Sequence, residues 1–368
     1  MAVVKVDERK ENKRKRMLGD LTVDLQPRPH KRTKLVAMNE SESKVGKIDE
    51  ETGITRTSNL QSATILLTGH TKAIYTCVFS PDGINIASGG ADKNILLWNV
   101  YGNNKNHTIL KGHKNSILQL NFNGSSELLF SSSADNTGAI WNVEYGTRIK
   151  KIKEHTSFLN SIYPTQKGIQ YYATGSDDGT AKIFDLRIKK SIKSYDCKYQ
   201  CTSVALLNDA LMLYTGGIDN EIKMWDTRKS DKPLETFIYH SDTITSLKLS
   251  NNENRLISNG MDGKLCLWDV TSYTNKKYNK RLLQTMYGHQ HNNEKLLIKC
   301  NFNDTINNKI GCGSSDKMAY VFDIKSNKIE YKLPGHKGSV NEVDLHPLEP
   351  IIVSCSSDKT LYLGEIEY

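Results

Sequence analysis

A carboxylate, an imidazole and a hydroxyl recur together along this 368-residue sequence at fixed intervals. Three sets are complete: His70, Ser88, Asp92 and Trp98; His113, Ser131, Asp135 and Trp141; His240, Ser258, Asp262 and Trp268. In each, the histidine stands 22 residues before the aspartate, the serine four before it and the tryptophan six after it. Hydroxyl, imidazole and carboxylate are the components of nucleophilic catalysis, where imidazole takes the hydroxyl proton and the carboxylate orients the imidazole. One enzyme has no use for three copies of its active site, so repetition favours a structural role. No carboxylate pair, metal-ligand set or nucleophile elbow stands apart from the repeat. The sequence therefore implies no catalytic residue, no metal, no cofactor and no small-molecule substrate.

The pattern continues in weaker form. Asp178 is followed six residues on by Phe184, Asp219 by Trp225, Asp316 by Phe322, and Asp358 by Gly364. Steps between the seven aspartates are 43, 43, 41, 43, 54 and 42 residues. Thr174, Thr215, Cys312 and Ser354 hold the position four before, and His155, His289 and His336 lie upstream. The fourth repeat lacks the histidine and has Cys197 near its place. The seven cysteines, at 77, 197, 201, 266, 300, 312 and 355, are irregularly spaced without a CxxC pair, which points to reduced, mostly buried thiols.

A period near 43 with Gly-His and Trp-Asp marks resembles the WD-repeat signature. That resemblance implies four short strands per repeat arranged radially as an all-β, seven-bladed β-propeller. ILLW (95–98), KIF (182–184) and KLCLW (264–268) are β-rich runs bounded by Gly, Asp and Asn. The family also implies a hydrogen-bond chain from indole to hydroxyl, hydroxyl to imidazole and imidazole to carboxylate, with donors and acceptors matched. The chain stops short where Phe184 and Phe322 replace tryptophan. ATILLTGH (63–70) matches the outer segments HTILKGH, LETFIYH and IEYKLPGH, yet no strands precede it. The last repeat ends after three strands, so 63–68 is expected to complete it, giving a propeller over 58–368.

Residues 1–57 are polar and nearly free of aromatics, and are read as a disordered basic tail. Its clusters Lys13, Arg14, Lys15, Arg16 and Lys31, Arg32, Lys34 fit a nuclear import signal. No apolar run reaches the ~18 residues a membrane span requires, so no membrane association is expected.

The chain more closely resembles the WD-repeat subunit family of the U5 small nuclear ribonucleoprotein. The stretches that carry this are ILLWNVYG (95–102), LKGHKNSI (110–117), EHTSFLNSIYP (154–164), TGSDDGT (174–180), GGIDNEIKMWD (216–226), YKLPGHKGSVNEV (331–343) and SSDKTLYLGEIE (356–367). The longer sixth repeat, with HNNEKLL (291–297), fits as well. Residues 1–57 and the Lys-, Tyr- and Asn-rich 271–281 depart from the family. The resemblance implies a nuclear spliceosome subunit that docks on the particle's large splicing scaffold protein and meets RNA mostly indirectly. A second reading is a substrate receptor of a cullin-type ubiquitin ligase, since Phe184-Asp-Leu-Arg187 and Trp225-Asp-Thr-Arg228 fit the WDxR-like box of that class. Candidate partner contacts lie just after the histidines: Lys72, Lys114, Lys337 and Phe158, the one aromatic among small residues at its position.

Overall fold

Ile74–Phe79, Asn85–Gly90, Ile95–Asn99 and Asn106–Leu110 pair in sequence order into one antiparallel four-stranded sheet. In this computed structural model seven such sheets follow one another, and the chain is an all-β, seven-bladed propeller. The structure describes residues 58–366 except 103–104, 230–231, 272–280, 293 and 304–307, together with the backbone of 47–48 and 55–56. All belong to the unit Gly46–Tyr368 and contain no helix. Lys47–Ile48 and Thr55–Arg56 pair antiparallel within the stretch expected to be disordered. The rest of 1–57, with both basic clusters, lies outside the described residues, as does most of 271–281.

Blade one is the sheet above, and blades two to six begin at Ile117, Leu159, Cys201, Ile244 and Cys300. Blade seven takes Val340–Leu345, Ile351–Ser356 and Thr360–Glu365 from the end of the chain and its outer strand, Thr64–Thr68, from the beginning. The register runs from Thr64 opposite Gly364 to Thr68 opposite Thr360. Ile65 and Leu67 point into the sheet stack, where they join Ile74, Trp98, Val353 and Leu361 in one buried cluster between blades seven and one. Burying two such side chains contributes about 1.5–3 kcal/mol each, and the pairing covers the edge that Thr360–Glu365 would otherwise expose.

Burial follows radius. Inner and middle strands such as Val340–Leu345 and Ile351–Ser356 are buried throughout, because neighbouring sheets cover both faces. Outer strands alternate, as Lys328–Leu333 does, because only one side meets the core. All seven cysteines are buried free thiols.

Candidate functional site

The loop that leaves each outer strand and the turn between the second and third strands lie on one face. In the three complete sets a hydrogen-bond chain joins them. His70 Nδ1 lies 2.6 Å from Asp92, its Nε2 2.8 Å from Ser88 Oγ, and Trp98 Nε1 donates to that Oγ at 2.8 Å. The distances are 3.2, 2.8 and 2.9 Å for His113, Ser131, Asp135 and Trp141. They are 3.1, 2.7 and 2.8 Å for His240, Ser258, Asp262 and Trp268. The carboxylate requires N–H at Nδ1, so Nε2 accepts from the serine, whose oxygen accepts from the indole. Each serine is fully enclosed, at 0% exposure, and its proton is committed. A nucleophile must be reachable, and these are not.

Each carboxylate also receives the backbone N–H just after its histidine, for example Lys114 N at 2.8 Å from Asp135. Burial pushes the Asp135 and Asp262 carboxyls up, but these hydrogen bonds outweigh it and hold both well below the usual range. The Gly-His pairing has a steric cause. Gly288 and Gly335 adopt φ of 137° and 143°, open to glycine, and a Cβ on Gly288 would lie 2.5 Å from Ile329 Cδ1.

The incomplete sets differ in instructive ways. In blade three His155 reaches Thr174 and Asp178, both at 2.8 Å, while Phe184 stacks on Tyr172 with ring centres 5.0 Å apart. In blade seven His336 reaches Ser354 at 2.9 Å and Asp358 at 3.0 Å, and Tyr362 meets its ring edge-on. Blade four has no histidine. There the Lys223 ammonium pairs with Asp219 and donates to the Cys197 carbonyl at 2.9 Å, while Trp225 still donates to Thr215. Blade six departs furthest. His289 turns to Asn259 of blade five at 2.7 Å, and Asp316 takes the Tyr320 hydroxyl instead.

Lys72, Lys114 and Lys337 are exposed on the loops of this face, and Phe158 is 47% exposed on the same face of blade three. Arg187 and Arg228 grip Asp185 and Asp226 of their own blades, with closest contacts of 2.6 and 3.2 Å. The guanidinium groups thus brace the ends of their own third strands while remaining open to solvent.

Sequence reasoning missed the charged lining of the central channel. Lys299, just before the inner strand of blade six, lies 3.8 Å from Glu342 on the inner strand of blade seven, and Lys248 of blade five reaches Asn121 of blade two at 3.0 Å. Asp344 accepts from Phe79 N–H at 2.7 Å, and burial pushes its carboxyl up to about 6. The signal was present in LIKC (297–300) and VNEVDL (340–345), where charge interrupts runs that burial would otherwise make apolar. A cavity of about 460 Å3 opens at the channel mouth on the face opposite the histidines. Among the described residues no cluster fits a metal, and no helix is long and apolar enough to cross a membrane.

The family model "WD domain, G-beta repeat" matches residues 61–99, 104–142, 146–185, 189–226, 231–269 and 327–363. The gap from 270 to 326 is the long sixth repeat with the rearranged network. The U5 small nuclear ribonucleoprotein 40 kDa protein of Dictyostelium discoideum is 45% identical over 86% of this chain and 88% of its own length. That of Homo sapiens is 45% identical over 86% and 87%. The pre-mRNA-splicing factor cwf17 of Schizosaccharomyces pombe is 40% identical over 87% and 92%.

Proposed function

This chain belongs to the WD domain, G-beta repeat family, and we propose that it is a non-catalytic scaffold subunit of the U5 small nuclear ribonucleoprotein, acting in pre-mRNA splicing. The observation that carries this reading is the 45% identity across nearly the whole propeller to relatives named for that particle. The geometry supports it: the residues that resemble a catalytic set are spent on holding turns, and what remains exposed is a rigid rim of loops.

The subunit docks on the large splicing scaffold protein, with Phe158, Lys72, Lys114 and Lys337 among the contacts. Its RNA is held mainly through that protein. The chain carries 50 basic and 41 acidic residues, of which the first 60 residues hold 14 and 10. Subtraction leaves 36 and 31, a net of +5 spread over seven blades, unlike the basic stripe with stacking aromatics of single-strand binders. It is nuclear, with import driven by Lys13–Arg16, Lys31, Arg32 and Lys34.

Affinity purification from nuclear extract, with proteins and RNA identified, tests the assignment. Recovery of the large scaffold protein and U5 RNA is the expected result. A cullin adaptor without splicing proteins would overturn it in favour of a ligase receptor.

A further inference from the structure

The face that carries the histidine loops is divided by charge. Lys72, Lys114 and Lys337 project from those loops on blades one, two and seven. Lys93, Lys317 and Lys359 project from the turns between second and third strands on blades one, six and seven. All six are exposed, and among the described residues none of their ammonium groups forms an ion pair. Lys223, Lys264, Lys299 and Lys309, by contrast, are each bound to a carboxylate. The opposite arc carries Phe158, Tyr199 and Ile218, all more than 40% exposed, with Asp177 and Asp242 beside only two unpaired exposed lysines, Lys153 and Lys198, among the described residues.

The turn lysines show more than charge. Lys93, Lys317 and Lys359 hold φ of 70°, 72° and 75°. At the same turn position blades two to five have Asn136, Gly179, Asn220 and Gly263, the residue types that enter this left-handed region with least strain. Three consecutive blades thus keep lysine where the fold would be more stable with glycine or asparagine. Strain of this kind is held in place by the surrounding structure and clusters at sites of function; Lys198 on the opposite arc shares the conformation, at φ 67°, but in a turn of a different kind, after its blade's outer strand.

We propose that the arc of blades six, seven, one and two is a docking crescent for an extended acidic peptide segment of a protein partner. This rests on the scaffold reading above and names the chemistry of its contact. A peptide fits better than RNA for two reasons. The exposed aromatics of this face, Phe158, Tyr199, Tyr239 and Tyr287, lie on blades three to five, outside the crescent, so bases have little to stack on there. Each turn lysine also follows directly on a turn carboxylate, Asp92, Asp316 or Asp358. The crescent therefore offers separate ammonium points rather than a continuous positive field, matching carboxylate side chains along an extended chain.

Anisotropy titration of the full chain with a labelled oligoglutamate peptide, and with an oligouridine RNA of equal length, tests this. The combined Lys337→Glu and Lys359→Glu variant should weaken peptide binding about tenfold, while Lys198→Glu on the opposite arc changes it less than about twofold. Lys359→Gly supplies a variant that folds, and should melt higher than the wild type while binding the peptide more weakly. Tighter binding of the RNA than the peptide, lost in the same variants, would overturn the peptide in favour of nucleic acid. Equal losses from Lys198→Glu would overturn the crescent. In nuclear extract, a charge-reversed protein that still recovers U5 proteins also overturns the crescent but leaves the scaffold reading standing, whereas a wild type that recovers none overturns the scaffold reading itself.

Discussion

In blade four the Lys223 ammonium sits against the Asp219 carboxylate with both side chains only 11% exposed. It does from the third strand what an imidazole does from the preceding loop elsewhere: it ties the turn carboxylate to the loop, here through the Cys197 carbonyl. Lys223→Met leaves a buried carboxylate without its cation and should cost about 3 kcal/mol. Asp135→Asn keeps the shape but replaces a charge-assisted acceptor with a weaker one, so a smaller loss of about 1–3 kcal/mol is expected. Chemical denaturation of the two variants checks the order. A neutral Lys223→Met would remove the basis for treating the pair as the counterpart of the histidine network.

Ring closure predicts an asymmetry between two truncations. Deleting residues 1–55 should leave the melting midpoint of the propeller unchanged. Deleting through residue 70 removes Ile65 and Leu67 from the blade-seven cluster and exposes the edge of Thr360–Glu365, and should lower the midpoint steeply. Equal melting of the two would refute closure by Thr64–Thr68.

The rearranged sixth blade gives the fold a pH dependence of predictable sign. Burial lowers His289 and His291 to about 4, and both ring nitrogens of His291 are buried without a partner among the described residues. With folded values below the unfolded ~6.5, the unfolded chain binds protons first. The stability due to these neutral rings is full above about 6.5 and declines as pH falls toward 4. Asp344, raised to about 6, acts in the opposite sense: its ionised form costs stability above that pH, and protonation relieves the cost as pH falls. His291→Leu should therefore raise the melting temperature more at pH 5 than at pH 7.5, and Asp344→Asn should steepen the acid-side decline. Parallel shifts at both pH values would contradict the assignment.

Much of this was legible in the sequence because the repeat constrains several offsets at once. Asp92 predicts Ser88, His70 and Trp98, and the same distances recur two blades running. Legibility fails where the network is rebuilt with other groups. Nothing in the spacing marks Lys223 as the stand-in for a histidine, because the replacement comes from a different strand. His289 sits at the expected Gly-His, yet the extra residues before Asp316 let its ring turn to Asn259 in the neighbouring blade. The channel charges Lys299, Glu342 and Asp344 were hidden for another reason. Their partners are separated from them by tens to hundreds of residues, as Glu342 is from Cys77, and only the closed ring brings them together. The left-handed turn lysines likewise become visible only as backbone angles.

Import should depend on the basic clusters. Replacing Lys13–Arg16, Lys31, Arg32 and Lys34 with neutral residues should shift a tagged protein toward the cytoplasm, as read by fluorescence microscopy. Nuclear accumulation of a propeller lacking residues 1–57, with its partner blocked, would contradict this route.

The most direct test of the central claim is to ask what holds the protein in its particle. The immobilised complex from nuclear extract is treated with nuclease, and the large splicing scaffold protein that remains bound is quantified across a salt titration. Docking by protein contacts predicts that the scaffold stays bound after the RNA is digested, with a shallow dependence on salt. Release on nuclease treatment, or affinity that falls with salt as steeply as a phosphate-bound complex does, would contradict it.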